Sequence, residues 1–283
     1  MNGELALNNQ SFDVRRGARV LDTFIDAVDW TRVLEVIGSW TLTRESRYVC
    51  FCNVHSVVTA EFQPDAGVAV RSSDLALPDG MPVVWMLRLL GFKNQLRING
   101  PDVMWRFCAY LQKHGNSVYL YGNEQSTLDV LSSRLNTTFP GLSVAGNISP
   151  PFRRLTPDED DAVVDAINAS GASVVFVSLG CPKQEVWMAE HRDRIHAVLI
   201  GVGAAFDYHA GTLRRAHPWM QAWGLEWAYR LAREPRRLWK RYLLSNSVFV
   251  SYAAAQLVAR AIWRRRGQLS APPPAHALNE GEH

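Results

Sequence analysis

A carboxylate stands at a predicted strand-to-helix turn in LPDGMPVVWMLR, residues 77–88. The preceding SSDLAL is typical of a short strand, and the apolar residues after Gly80 recur at helical spacing. Asp79 therefore ends a strand, a position from which a carboxylate can take a proton from a bound hydroxyl group. Pro-Asp-Gly is also a common turn sequence, and aspartate often caps a helix. The local sequence leaves both a chemical role and a capping role open for Asp79.

A second candidate site lies in GCPKQEVW, residues 180–187. Gly180 and Pro182 predict a tight entry into a helix, whose free N-terminal amides would face an anion or a sugar hydroxyl. Lys183 and Gln184 would project toward the same ligand. In the alternative interpretation, Lys183 and Glu185 are solvated surface residues.

Further candidates follow other predicted strands. Asn53 and His55 come after YVCFC, and a lone histidine is more often structural than a catalytic base. Gly122 ends SVYLYG. In GVGAAFDYHAG, Gly203 predicts a close approach of the backbone to a ligand phosphate or to a neighbouring element. This stretch is only part of a dinucleotide-binding fingerprint, because Phe206 stands where the third glycine belongs.

Two acidic motifs have simpler explanations. In RINGPDV, Arg97 and Asp102 flank an Asn-Gly turn and could form a local ion pair. The acids at 158–160 follow Thr156 and Pro157, which is the composition of an ordinary helix start rather than of a metal-binding D-x-D motif. The sequence therefore predicts no metal and no cofactor.

Short apolar runs alternate with amphipathic runs over residues 46–213, after an N-terminal segment, 1–45. Repeated β-then-α order predicts an α/β fold, a mostly parallel sheet with helices on both faces. In such open sheets, ligands bind beyond the carboxyl ends of the strands. The candidate residues named above follow predicted strands, so we expect the fold to gather most of them at one edge.

Residues 214–266, here called the appendage, contain twelve Lys/Arg and only two Glu, interleaved with tryptophans. The pattern is helical, with breaks at Pro218 and Pro235. Because the whole chain carries only +3, the rest is acidic overall. This asymmetry indicates a polyanionic partner, either nucleic acid or an anionic membrane face. The Pro/Ala-rich end, 267–283, is predicted to be disordered.

Targeting signals and disulfides are not expected. The N-terminus lacks a basic start followed by an apolar run, which argues against a secretory signal. The longest apolar run, VFVSYAAAQLVARAIW, is under 18 residues and includes Arg260, so the sequence does not predict a membrane span. The four cysteines show no zinc-ligand spacing and are expected to be reduced core thiols.

Six blocks together resemble the WecG/TagA/CpsF family of bacterial glycosyltransferases: NVHSVV, LPDGMPVVWMLRLLG, RINGPDV, GCPKQE, GVGAAFDYHAG and GLEWAYRLAREPRRLWKRYL. The resemblance covers roughly residues 45 to 250. It implies a Rossmann-like domain with a helical appendage. It also implies metal-independent, inverting transfer of a sugar from a UDP-sugar to a polyprenyl-diphosphate-linked acceptor at the cytoplasmic membrane face.

The resemblance also implies roles for individual residues. Asp79 matches the family's proposed general base, Arg97 its active-site arginine, and Gln184 a glutamine near the donor sugar. The basic residues of the appendage would neutralise the departing UDP diphosphate and contact anionic lipid. These are Arg230, Arg237, Lys240 and Arg241. Closure of the site by the appendage, coupled to membrane binding or to homo-oligomer formation, is a further expectation of the resemblance.

One position departs from the family. Many relatives have threonine two residues before the asparagine of the first block, where this chain has Phe51. The sequence PDGMPVVW resembles the exopolysaccharide branch of the family, for which UDP-glucose is a plausible donor. Two other interpretations stay open: a nucleotide-dependent oxidoreductase, based on GVGAAF, and a non-enzymatic adaptor that binds a membrane or nucleic acid.

Overall fold

The structure is a computed structural model that describes residues 15–269, with side chains to residue 263. Six strands form one parallel sheet in the order β4-β3-β8-β7-β5-β6. An antiparallel hairpin precedes it. The hairpin strands are β1 Gly17–Val20 and β2 Thr23–Asp26, and the sheet strands are β3 Arg47–Cys52, β4 Leu75–Pro78, β5 Ser117–Gly122, β6 Ser143–Ile148, β7 Val174–Ser178 and β8 Val198–Gly201. The predicted α/β fold is confirmed.

Helices connect the strands and cover the sheet. They are α1 Trp30–Leu42, α2 Val54–Phe62, α3 Pro64–Arg71, α4 Met81–Leu89, α5 Gly100–Leu111, α6 Gln125–Thr138, α7 Pro157–Ala169, α8 Lys183–His191 and α9 Ala205–Ala210. The appendage contributes α10 Pro218–Ala222, α11 Glu226–Arg233 and α12 Pro235–Leu269. As predicted, the two prolines begin helices, because proline's missing N–H costs nothing in the first turn.

Both faces of the sheet are buried, and β3 shows why its sequence is continuously apolar. Tyr48, Cys50 and Cys52 pack into one hydrophobic cluster, whereas Val49 and Phe51 pack into the cluster on the opposite face. Successive side chains of a strand point to opposite faces, so a strand covered on both sides needs apolar residues at every position. The helices therefore lie on both faces, as expected.

Three features of the structure correct or extend the predictions from the sequence. Of the predicted N-terminal segment, 1–45, the described part from residue 15 contributes to the core: Ile25, Val33 and Ile37 are fully buried. All four cysteines are free, and three are buried in the core, as expected, whereas Cys181 is half-buried. The predicted disordered tail, 267–283, lies outside the described residues except for 267–269, which end α12.

Helix α12 packs along the α/β domain with one side only. Phe249 and Ala253 are buried, and Tyr252 packs edge-on against Phe62 of α2. Gln256 bonds the hairpin through both of its side-chain ends: it accepts from the Leu21 amide at 3.1 Å and donates to the Arg19 carbonyl at 2.7 Å. The appendage is thus anchored to the domain over much of its length.

By length and composition alone, one helix among the described residues could cross a membrane, which the apolar run by itself did not predict. This is the part of α12 from Pro235 to Trp263, with a mean hydropathy of 1.2 over its best window, of which 17% is buried. Core helices of soluble proteins meet the same criterion, so it is weak evidence for a span.

Gly122 tests how tightly the carboxyl ends of the strands pack. Its φ is +106°, and a Cβ there would lie 2.4 Å from the Ser178 carbonyl oxygen of the neighbouring strand. We expect Gly122→Ala to lower the free energy of unfolding by more than ~2 kcal/mol, because backbone strain and a backbone clash add. Urea denaturation measures this.

The matched control is Gly115→Ala. Gly115 has φ +65°, and a Cβ at this position would have no neighbouring atom within 4 Å, so only the backbone strain applies. A cost for Gly122→Ala no greater than that for Gly115→Ala would contradict the close approach.

Candidate active site

A large cavity of about 1950 Å³ opens at the carboxyl edge of the sheet. It is lined by residues that follow β3, β4, β5, β7 and β8, and by the appendage helices α11 and α12. Ten of the predicted site residues line it: Asn53, Asp79, Arg97, Gly180, Lys183, Gln184, Gly203, Arg230, Arg237 and Arg241. Parallel strands thus gather residues that are far apart in the sequence, as expected for an open α/β sheet.

Two predicted site residues lie outside the cavity lining. Gly122 packs closely against the Ser178 carbonyl of the neighbouring strand, and the next residue, Asn123, lines the cavity instead. Lys240 is exposed, with its ammonium 5.5 Å from the centre of the Trp239 ring. Adjacent residues of a helix point in different directions, so Lys240 and Arg241 cannot both face the cavity.

Asp79 lies at the end of β4 with its carboxylate in the cavity. Its amide donates to the Cys52 carbonyl at 3.0 Å, which continues the parallel pairing and fixes its backbone. The cap of α4 is Gly80, with no side-chain capping bond, so the capping interpretation of Asp79 is wrong. Burial raises the pKa of the Asp79 carboxyl, Arg97 opposes that rise, and Glu226 adds to it.

Arg97 binds Asp79 rather than Asp102. Its Nη2 lies 3.1 Å from Asp79 Oδ1, and its Nε donates to the Asp79 carbonyl. Its Nη1 lies 2.9 Å from Glu226 Oε2 of α11. Asp102 instead pairs with Arg215 at 2.5 Å. The prediction of a local Arg97–Asp102 ion pair is therefore wrong, because each of the two side chains binds residues that are distant in the sequence.

Gln184 is held inside the site by its amide group. Its Nε2 donates to the Gly201 carbonyl and to Glu185 Oε1, each at 3.0 Å. A carbonyl can only accept, so the contact with Gly201 fixes which end of the amide is the nitrogen. The buried Gln184 Oε1 has no hydrogen-bond partner among the described residues.

Glu185 is the second buried carboxylate of this region. Only 1% of its surface is exposed, so its interpretation as a solvated residue is wrong, whereas Lys183 is exposed as that interpretation expects. Burial raises the pKa of the Glu185 carboxyl. Its Oε2 has no hydrogen-bond partner among the described residues. Glu185 belongs to the buried side of α8, together with Met188 and His191.

The glycines of the site allow turns that other residues resist. Gly180 and Gly203 have φ of +78° and +55°. The Gly203 carbonyl accepts from the Ser178 hydroxyl at 2.8 Å, and a Cβ on Gly203 would lie 3.6 Å from Gln184 Oε1. Gly203 therefore keeps the loop after β8 close to Gln184.

Asn53 and His55 both have structural contacts. The Asn53 Oδ1 caps α2 by accepting from the amides of His55 and Ser56. The His55 Nδ1 lies 3.4 Å from the Ser245 hydroxyl of α12. Burial, with a smaller effect of Arg241, lowers the pKa of His55 to about 4, so the imidazole is neutral near pH 7. This supports the structural interpretation of His55.

Three arginines of the appendage bring positive charge to the cavity. The Nε atoms of Arg230 and Arg241 are buried and have no hydrogen-bond partner among the described residues. Arg237 is more exposed and pairs with Glu234 at 2.5 Å. Groups of three or more His, Cys, Asp or Glu that could hold a metal ion do not occur within the described part of the chain.

Glu226 is the site residue that sequence reasoning missed. It opens α11, is 14% exposed at its side chain, and faces Arg97. The sequence does contain a feature that singles out Glu226: it is one of only two acidic residues in the appendage, which has twelve basic residues. Tyr208 of α9 also lines the cavity, and burial raises the pKa of its hydroxyl to about 12.

A parallel α/β sheet with a charged cavity at its carboxyl edge, lined in part by a basic helical segment, is a Rossmann-like architecture with a ligand-binding site. The chain belongs to the WecG/TagA/CpsF family of glycosyl transferases, whose family model matches residues 18–262. It is a glycosyltransferase that acts on a sugar donor and a glycan acceptor in cell-surface glycan synthesis. This membership favours a glycosyltransferase over the oxidoreductase and adaptor interpretations.

Glu185 offers a test of the site's electrostatics. The pKa of Glu185 in the folded state is raised above the ordinary value of 4.5, which means that folding favours the protonated carboxyl. The stability that this provides is fully present below pH 4.5 and is lost as the pH rises through the folded-state pKa. Glu185→Gln keeps an acceptor for Gln184 and removes the titration. We expect the variant to gain stability relative to the wild type as the pH rises above ~5.

Urea unfolding of both proteins across this pH range measures the difference. Glu190→Gln, which removes an exposed carboxylate from the same helix, controls for the change in net charge. A stability difference that does not change with pH would contradict the buried, protonatable state of Glu185.

Proposed function

We propose that this glycosyltransferase moves a sugar, with inversion, from a UDP-sugar to a polyprenyl-diphosphate-linked saccharide at the cytoplasmic face of the membrane, in cell-surface polysaccharide synthesis. The observation that carries the proposal is that two kinds of group line the same cavity: the carboxylate of Asp79, and arginine N–H groups of the appendage that have no hydrogen-bond partner among the described residues. The first group suits proton removal, and the second suits a departing diphosphate.

Asp79 serves as the general base. The acceptor hydroxyl attacks the anomeric carbon while its proton passes to the Asp79 carboxylate, and the bond between the anomeric carbon and the UDP oxygen breaks. Burial raises the pKa of the carboxyl, which makes it a stronger base than an exposed aspartate. Attack from the face opposite the leaving UDP inverts the configuration.

Arginine side chains stabilise the diphosphate as negative charge develops on it. Guanidinium groups donate paired hydrogen bonds to phosphate oxygens, and they do so most strongly where water is excluded. Arg230 and Arg241 have buried Nε atoms, and Arg237 lines the same end of the cavity. With these arginines at the leaving group, the proposed reaction needs no metal ion.

The apolar part of the cavity lining supports a lipid-linked acceptor. The lining includes large hydrophobic side chains from α2, α4 and α12, of which Phe62, Trp85 and Leu89 are 48–63% exposed. Exposed apolar groups of this size that adjoin a charged site indicate a ligand with an apolar part. A polyprenyl chain attached to a diphosphate has both characters.

The outer surface of the appendage supports a position at the membrane. Trp219, Trp223 and Trp263 are 54–76% exposed, and so are Leu244 and Val258 on the outer side of α12. Tryptophan and arginine together favour the headgroup region of an anionic bilayer. Because the opposite side of α12 packs on the α/β domain, we place the helix along the membrane surface rather than across it.

The base is tested by Asp79→Asn, which keeps the shape of the side chain and removes its basicity. We expect kcat to fall by ~10²-fold to ~10⁴-fold, while the affinity for UDP-sugar stays close to that of the wild type. UDP release in the presence of a short-chain prenyl-diphosphate saccharide measures turnover, and calorimetry measures binding. Asp129→Asn, an exposed aspartate of α6, is the control, and wild-type turnover by Asp79→Asn would refute the role.

The diphosphate contacts are tested by a neighbouring pair of substitutions. We expect Arg241→Ala to raise the KM for the UDP-sugar by ~10-fold to ~100-fold, because it removes charged hydrogen bonds from a buried site. Lys240→Ala removes the same charge one residue away, from outside the cavity, and should change KM by less than ~2-fold. Equal effects of the two variants would mean that Arg241 acts only through the general charge of the appendage.

A further inference from the structure

The guanidinium of Arg97 is shared by two carboxylates that come from distant parts of the chain. On one side it binds Asp79 at 3.1 Å, and on the other it binds Glu226 at 2.9 Å. Asp79 ends a strand of the sheet, whereas Glu226 is the first residue of α11 in the appendage. All three side chains are less than one-fifth exposed, so water screens these contacts only weakly.

A second arginine supports the other oxygen of Glu226. Arg215 Nε lies 3.9 Å from Glu226 Oε1, and Arg215 is itself held by Asp102 at 2.5 Å and by Asn99 Oδ1 at 3.1 Å. Asn99 and Asp102 begin α5. Both oxygens of Glu226 therefore face arginines fixed by the α/β domain, which makes its position specific rather than incidental.

The geometry points to Glu226 as a positioning residue. By binding Arg97, it sets the orientation of Asp79 and the charges around it. The surroundings of the base are therefore complete only when α11 is packed against Arg97. This inference rests on the proposed function, in which Asp79 is the base. Glu234, the other acid of the appendage, pairs with Arg237 and does not share this contact.

The charges around Asp79 give the direction of the effect. Arg97 and Arg215 lower the pKa of Asp79, Glu226 raises it, and Tyr208 lies near enough to interact with it. Glu226→Gln keeps a neutral acceptor for Arg97 but removes the negative charge. The pKa of Asp79 then falls, and the acidic limb of the kcat/KM profile moves to lower pH.

Hydrogen–deuterium exchange tests the tie between Arg97 and α11 without any turnover. Arg97→Met leaves the sequence of α11 intact, so faster exchange of the α11 amides in this variant reports loss of the contact with Glu226. We expect the same increase in Glu226→Ala and no further increase in the double variant. Arg106→Met, an exposed residue of α5, is the control. Unchanged exchange of α11 in Arg97→Met would overturn the inference.

The pH profile of sugar transfer tests the effect on the base. We expect Glu226→Gln to shift the acidic limb to lower pH, and Glu226→Ala to lower kcat by on the order of 10-fold to 100-fold, with little change in KM for the UDP-sugar. Glu234→Gln should leave the acidic limb in place. A purely structural role would lower the melting temperature without moving the limb, and that result would overturn the inference.

The two proposals fail in different ways. A wild-type protein that transfers no sugar, while Arg97→Met still releases α11, would refute the proposed function and leave the contact between the appendage and Arg97 established. Glu226 variants that stay active and keep the pH profile of the wild type would refute the positioning role and leave the proposed transferase function standing.

Discussion

Parallel pairing of the six strands is the constraint on which the rest of this structure depends. Every connection in a parallel sheet must cross over a face, so helices bury both faces and only the ends of the strands stay open. All six strands end at the same edge. Asn53, Asp79 and Gly203 meet there because each lies within two residues of the end of a strand, although 150 residues separate the first from the last. The site is a consequence of the topology before any side chain is considered.

Charge is then distributed unevenly over that edge. The α/β domain supplies carboxylates, among them Asp79 and the buried Glu185, whereas the appendage supplies Arg230 and Arg241. Burial disfavours an isolated charge, so each buried ionic group needs a partner or a shifted pKa. Asp79 has both, since Arg97 pairs with it and burial raises its pKa. The carboxylate is thereby kept ionisable and yet basic, which suits proton transfer.

The appendage combines two surfaces on one long helix. One side of α12 packs on α2 and on the N-terminal hairpin through Phe249, Ala253 and Gln256. The other side exposes Leu244 and Val258. A soluble helix normally exposes its polar side, so an exposed apolar side on an anchored helix indicates a second, apolar environment. The same segment therefore lines the cavity and carries the apolar surface on which the proposed position at the membrane rests.

Local chemistry was enough for the sequence to predict the parallel sheet, several helix starts and the family, but not the N-terminal hairpin. Apolar runs with turns between them predicted the sheet, Thr156 and Pro157 predicted the start of α7, and Asp79 was placed at a strand end. These features depend on neighbours along the chain. Most of the cavity-lining residues followed, since the carboxyl-edge rule needs only the order of the strands.

Only the tertiary structure decided the partners of the charged groups. Arg97 lies five residues from Asp102 in the sequence, yet it binds Asp79 and Glu226, because folding brings a strand end and an appendage helix closer than the local neighbour. Glu185 looks like a surface residue in the sequence, yet it lies on the buried side of α8. Lys240 looks equivalent to Arg241 until the helix fixes which of them faces the cavity. Ion pairs and burial depend on distances in space, which local sequence patterns do not contain.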